Sequence, residues 1–228
     1  MSEQVREMFS NISKDYDKMN DVLSFNMHNT WKQKLVELSG AEQGDSVLDC
    51  ASGTGDLAIL FKKKVEKGDV IATDFCNDML KYAKPKANNL GLKIESELAD
   101  AMNLQFEDNK FDITSISYGI RNVDDTPTAL KELARVTKKG GKIAVLETGQ
   151  PPLYLKPFYT VVTRFFMPIV GRMIAKEKSA YNYLAETASK YPYGKEFVNI
   201  MKRTGKFGEI KAYPQFFGAS YIYIAEVL

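Results

Sequence analysis

Metal ligands are scarce in this sequence, which holds one histidine and two cysteines in 228 residues. Cys50 and Cys76 show no zinc-site spacing, so no metal is expected, and each reads as a buried, reduced thiol of a cytosolic protein. A charge excess is missing too. Lysine and arginine number 31 against 29 acids, and a formal charge of +2 gives no global reason to expect nucleic acid as a partner. No leader with an apolar core precedes Val5, and no uninterrupted apolar run reaches the length of a membrane span. The chain is therefore expected not to be integral to a membrane, while contact with a membrane surface stays open. Internal repeats, low-complexity tracts and a flexible interdomain linker are likewise absent.

What remains is an ordinary globular composition, 44% hydrophobic and 26% charged, in a chain long enough to bury a full core as one domain, with or without a small insertion. Residues 1–41 read as a helical lead-in: Val5, Met8, Phe9 and Ile12 recur at helical spacing, and Trp31, Leu35, Val36 and Leu38 mark a second helix. Over 42–150 the pattern alternates. Strands are expected at 46–50, 70–74, 94–98, 111–117 and 142–147, with helices at 57–64, 77–89 and 126–135. Such alternation predicts an α/β fold with a parallel, doubly wound sheet whose ligands sit at the carboxyl ends of the strands. Residues 151–193 leave this rhythm. Tyr154, Phe158, Tyr159, Phe165, Phe166, Tyr181 and Tyr183, interspersed with Arg164, Arg172 and Lys178, predict an inserted helical cap. A closing helix at 195–203 and two short strands at 210–213 and 221–227 complete the single domain over 194–228.

The stretch 47–58, Val-Leu-Asp-Cys-Ala-Ser-Gly-Thr-Gly-Asp-Leu-Ala, organises the rest. A strand, a glycine turn and a helix in succession cradle nucleotides, because Gly53 and Gly55 let backbone approach a ligand and the helix start offers unpaired N–H donors. Two ligands are compatible with it. With Ala58 the segment fits the dinucleotide fingerprint of a nicotinamide oxidoreductase, and Asp74 falls near the spacing of its ribose acid. Asp49, however, would repel a pyrophosphate and favour a cation. S-adenosylmethionine is such a ligand, and the order Asp49, Gly53, Gly55, Asp74 resembles that of class I S-adenosylmethionine-dependent methyltransferases. In that resemblance Asp74 accepts ribose hydroxyls, with Asn77 left to cap the next helix, and Asp100 and Ala101 recognise adenine.

Beyond the fourth strand, Ser117, Tyr118 and Gly119 are followed by Arg121 and Asn122, polar groups one turn past the sheet edge where a methyl acceptor would sit. Residues 16–24, Tyr-Asp-Lys-Met-Asn-Asp-Val-Leu-Ser, with His28 and Trp31, resemble the first signature of the ubiquinone/menaquinone biosynthesis C-methyltransferases, the UbiE/COQ5 family. Tyr118-Gly119-Ile120-Arg121-Asn122-Val123 is similar to that family's aromatic-Gly-Leu-Arg-Asn-Val element. Arg135, Val136, Gly140, Gly141 and Glu147 resemble its second signature, with Thr137, Lys139 and Thr148 departing from it. Pro168, Gly171, Tyr181, Tyr183 and Leu184 match its cap, and 222–228 lacks the family's usual terminal histidine.

The resemblance implies a Rossmann-like, mostly parallel sheet with an antiparallel C-terminal strand, preceded by N-terminal helices and carrying the cap. It implies cofactor contacts at Thr54, Asp74, Asp100, Ala101 and Ser117. Tyr16, Tyr118 and Tyr181 fall on the substrate side, His28 becomes a substrate-side candidate, and Arg121 and Asn122 are expected to orient a quinol oxygen or a water. The implied reaction moves the S-adenosylmethionine methyl group to a ring carbon of a polyprenylated quinol. Demethylmenaquinol is the favoured acceptor, since the short lead-in resembles menaquinone-type members; a 2-polyprenyl-6-methoxy-benzoquinol, or a non-catalytic subunit of a quinone-synthesis complex, are the alternatives. An aromatic, basic cap over 154–178 is expected to shelter the prenyl tail and touch anionic lipid at the inner face of a membrane, or else to form a homodimer interface or a lid.

Overall fold

The computed structural model describes residues 3–152 and 178–228. Three helices lead in: α1 (Glu3–Ile12), α2 (Tyr16–Leu23) and α3 (Met27–Ser39). The sheet begins with β1 (Val47–Cys50), buried at every position, as a strand covered on both faces must be. Then follow α4 (Asp56–Val65), β2 (Val70–Asp74), α5 (Asn77–Leu80), α6 (Ala83–Asn88), β3 (Glu95–Leu98) and β4 (Phe111–Ser117). After a 3₁₀ turn at Ile120–Asn122 come α7 (Thr126–Val136), β5 (Thr137–Thr148), α8 (Lys178–Lys190), α9 (Lys195–Arg203), β6 (Phe207–Gln215) and β7 (Ser220–Val227).

One seven-stranded sheet has the order β3-β2-β1-β4-β5-β7-β6. Pairings from β3 through β5 are parallel, and β7 runs antiparallel to both β5 and β6. The expected class I sheet with its reversed C-terminal strand is therefore present. The order reverses between β1 and β4, the switch point at which an open sheet leaves a crevice at its carboxyl edge. Leu35, Leu57, Phe61, Val65 and Ala83 cover one face of the sheet, and Leu130, Leu133, Phe197 and Met201 belong to the core on the other. Val5, Phe9, Ile12 and Met19 form a third, smaller cluster with Cys76 and Met79, so α1 and α2 lie against α5 rather than in either main core.

Several elements differ from the sequence reading: residues 16–23, expected to be irregular, form α2, and β6 runs over Phe207–Gln215 instead of 210–213. The helix expected over 77–89 is two short helices that part at Lys81 and Tyr82, because Pro85, in the first turn of α6, has no N–H to donate to the Lys81 carbonyl one turn back. β5 starts at Thr137 instead of 142, its register against β4 shifting between Phe111 and Ile113. The expected tunnel over 154–178 lies outside the described residues except for its last, and Tyr181's side chain is outside them as well. Among the described residues no helix is long and apolar enough to cross a membrane.

Candidate active site

Chain leaving β1 turns at Ala51, with φ +48°, and Ser52 Oγ donates to the Asp49 carbonyl at 2.6 Å. Gly55, at φ +86°, precedes α4; a Cβ there would lie 2.7 Å from Ala83 Cβ. Its conformation and its lack of a side chain thus serve helix packing against α6, a second reason for glycine beside the close approach of a ligand expected from the sequence. Gly53 faces the site, and its N–H donates to the Asp74 carboxylate at 2.8 Å. The same carboxylate takes the Cys76 N–H at 2.8 Å. Asp74 therefore ties the β1 and β2 turns together, and it is not left free by Asn77, which is the first residue of α5 and not its cap.

A cavity of about 30 Å³ lies between these turns, lined by Phe9, Tyr16, Ala51, Gly53, Asp74, Met79, Ser117, Tyr118, Gly119 and Asn122. It unites Gly53, Asp74 and Ser117 from the cofactor set with Tyr16, Tyr118 and Asn122 from the acceptor set. Its volume would hold a water, far short of the ~300 Å³ at which ligand pockets begin. Phe9 and Met79 were not foreseen as site residues, although Phe9 belongs to the helical stripe of the lead-in.

The donor set fits S-adenosylmethionine. Asp49 Oδ1 accepts from Ser115 at 2.7 Å, whereas its Oδ2 and the Ser117 Oγ are buried without a hydrogen-bond partner among the described residues. An unpaired carboxylate oxygen calls for a cation or a hydroxyl donor. Burial pushes the Asp49 carboxyl up to about 7, although Ser115 and Ser52 pull the other way. Burial likewise raises Asp74 to about 6, against the N–H donors of Cys76, Gly53 and Phe75.

Thr54 is buried, and its hydroxyl donates to Asp17 of α2, a residue with no role in the sequence reading. Lys86 bridges Asp17 and Asp56, and Lys32 reaches Asp56 at 2.9 Å. These contacts fasten α2 across the glycine turn. Burial works to raise Asp56, but Lys32 and Lys86 outweigh it and hold the group at about 2. His28 belongs to this side of the structure. Its Nδ1 meets Ser24 Oγ at 2.7 Å, and burial followed by Lys32 lowers it to about 4, so it is neutral at pH 7. Neither His28 nor Arg121 is among the cavity's lining residues; Arg121 lies beside the lining residue Asn122, whereas the polar contacts of His28 are with Ser24 and Asp21. Asp100 and Ala101 follow β3 outside the lining, with Asp100 Oδ1 accepting the Met102 N–H at 2.9 Å.

Across the switch point, Arg121 sits on the 3₁₀ turn with its side chain 7% exposed. Nη1 donates to Glu147 at 2.8 Å and to the Tyr118 carbonyl at 2.7 Å, while Nε is buried with no partner among the described residues. Burial disfavours the guanidinium charge, yet the Glu147 carboxylate outweighs it and the group is raised. Asn122 is buried, and Tyr183 of α8 donates to its Oδ1 at 3.4 Å. Tyr118, at φ +54°, shares a hydrogen bond of 3.0 Å with Ser220, and burial raises its phenol well above the ordinary value. Among the described residues no group of three or more His, Cys, Asp or Glu could hold a metal.

The family model described as the ubiE/COQ5 methyltransferase family matches residues 1–225. The chain is 46% identical over 222 residues to the ubiquinone/menaquinone biosynthesis C-methyltransferase UbiE of Bdellovibrio bacteriovorus, covering 97% of this chain and 94% of that protein. It is 39% identical over 205 residues to a demethylmenaquinone methyltransferase of Staphylococcus aureus, covering 89% and 85%. A S-adenosylmethionine-dependent methyltransferase from Aquifex aeolicus superposes with a TM-score of 0.65 at 20% identity over 96% of this chain and 98% of that one, a likeness of fold.

Proposed function

Because this chain belongs to the ubiE/COQ5 methyltransferase family, we propose that its methyl acceptor is a polyprenylated quinol, with demethylmenaquinol the acceptor we favour. The chain is a S-adenosylmethionine-dependent C-methyltransferase, which sets aside the nicotinamide reading of the glycine turn. When bound, S-adenosylmethionine supplies an electrophilic methyl group on a sulfonium. Gly53, Thr54, Asp74, Ser117 and the unpaired oxygen of Asp49 are the residues proposed to hold it, with Asp100 and Ala101 at the adenine end.

The chain's own task is to make an acceptor carbon nucleophilic. A reduced ring does this best when negative charge gathers on a hydroxyl oxygen, and a buried cation stabilises that charge far better than water-exposed groups could. The observation that carries the assignment is Arg121, buried beside the lining residue Asn122 with Nε unpaired among the described residues. Arginine stays protonated, so it stabilises charge and does not remove the proton. Asn122 orients the oxygen or a water that takes it. Tyr16 and Tyr118 supply ring surface to the acceptor, and peripheral contact with a membrane from the cytoplasmic side would deliver its prenyl tail.

Turnover of a reduced demethylnaphthoquinol against a reduced methoxy-benzoquinol tests the acceptor. Demethylnaphthoquinol is expected to give the higher kcat/KM, and a preference for the benzoquinol would reverse that choice. Arg121→Ala is expected to lower kcat by roughly 100-fold or more, the usual loss of one charge-stabilising donor. Unchanged turnover would remove Arg121 from the chemistry.

A further inference from the structure

Glu147 enters the sequence only as the end of a strand motif, yet it is 1% exposed and meets the guanidinium of Arg121. It stands near the carboxyl end of β5, beside β4, and the two strands deliver the pair to one edge of the sheet. Its Oε1 accepts Arg121 Nη1 at 2.8 Å, the Thr148 N–H at 2.6 Å and the Thr148 hydroxyl at 3.0 Å. Its Oε2 lies 3.4 Å from the backbone nitrogen of Arg121. The carboxylate is thus fixed by its own strand and grips both the side chain and the backbone of one residue. Stability alone is a poor reason for this arrangement, since a buried ion pair gives little net stabilisation over apolar packing and this one leaves Nε without a partner among the described residues.

We propose that Glu147 is a positioning residue for methyl transfer. It locks the Arg121 guanidinium with Nε unclaimed and neutralises it before the acceptor arrives, so that the quinol is bound un-ionised and meets Arg121's stabilisation as charge develops. The inference rests on the reading of Arg121 as the group that faces the acceptor oxygen. Two properties are assigned to one carboxylate, and they separate experimentally. Position depends on side-chain length, and charge balance depends on ionisation.

The test is steady-state methylation of a reduced demethylnaphthoquinol across pH by Glu147→Gln, Glu147→Asp and Arg121→Gln, with S-adenosylmethionine affinity measured by calorimetry. Glu147→Gln is expected to lower kcat by about tenfold or more with a much smaller change in KM. It should also shift the rise of kcat with pH to lower pH by about one unit, because an uncompensated cation favours the ionised hydroxyl. Glu147→Asp keeps the charge and should lower kcat without that shift. S-adenosylmethionine affinity should be unchanged in both. Wild-type kcat and pH profile in Glu147→Gln, alongside a loss in Arg121→Gln, would overturn the positioning role and leave the reading of Arg121 standing. Wild-type turnover in Arg121→Gln would overturn both. If Glu147→Gln does not fold, the Arg121→Gln/Glu147→Gln pair, which leaves no buried charge alone, is compared with Arg121→Gln. Equal kcat supports action through Arg121, and a further loss overturns it.

Discussion

Burial in β1 keeps Asp49 protonated at pH values where an exposed aspartate is ionised, with its midpoint pushed up to about 7. Between pH 4 and 7 the native protein then holds a proton that the unfolded chain has released, so this group subtracts stability as pH rises. His28 acts in the opposite sense: lowered to about 4, it is neutral in the native state while the unfolded chain is charged, and its contribution is lost on acidification below the usual histidine value. Asp74, raised to about 6, acts in the same sense as Asp49, and the three overlap, so only a difference measurement isolates Asp49. Asp49→Asn is expected to raise the melting temperature of the ligand-free protein relative to wild type, by little at pH 5 and by several degrees at pH 8. It should weaken S-adenosylmethionine binding by roughly tenfold or more, since the ligand's cation needs the carboxylate. Wild-type binding near pH 6 should release a proton, seen in calorimetry as a heat that depends on the buffer's ionisation enthalpy. A pH-independent melting difference, together with unchanged affinity, would show that Asp49 is merely a core residue.

The turns after β1 and β4 touch at the switch point, where a Cβ on Gly119 would lie 2.3 Å from Ala51 Cβ. Ala51 is held at φ +48°, so the facing turn has little freedom to retreat. Gly119→Ala is expected to destabilise the protein by ~1–3 kcal/mol, lowering the melting temperature by several degrees, and to weaken cofactor binding as the first turn shifts. Unaltered stability and affinity would mean that the two turns move independently. Much of this level was legible in the sequence. Strands such as Ile143–Leu146 within β5 read as continuous apolar runs, and Phe111, Ile113 and Ile116 mark β4 although Thr114 and Ser115 between them are buried too, so the place of the strands and the glycine turn after β1 are written locally. Boundaries set by a single backbone property were missed, as with Pro85 breaking the expected helix. Partners were the other gap. Arg121 and Asn122 carry a local motif, but nothing near them in sequence points to Glu147, Ser220 or Tyr183, and Asp17 and Lys86 look like ordinary surface charges until folding places them beside Thr54 and Asp56.

Considered whole, the molecule divides into a sheet with two covered faces and a small cluster of its own, in which Val5, Phe9, Ile12 and Met19 pack on Cys76 and Met79. The division falls between α2 and α3, because Leu35 and Val36 of α3 belong to a main core whereas α1 and α2 meet the sheet's edge through Cys76, Met79, the Ser10–Asp78 hydrogen bond, Phe9 and Tyr16 at the cavity and the Asp17 contacts. With α1 and α2 in place, the cavity of about 30 Å³ is too small for S-adenosylmethionine, so the site must open by movement of whatever closes it. The two helices are part of that enclosure, with Phe9 and Tyr16 in its lining. A chain beginning at residue 26 should therefore keep a cooperative melt, lowered by several degrees through exposure of Met79 and Cys76. It should lose S-adenosylmethionine affinity by at least about tenfold, as Tyr16, Phe9 and the Asp17–Thr54 contact disappear. In the intact protein, amide exchange of residues 5–23 should be faster than that of β1 and β4, and should slow when S-adenosylmethionine binds. A truncated chain without a cooperative melt would make α1 and α2 part of the folding core, and full affinity in that chain would place the closure of the site elsewhere in the molecule.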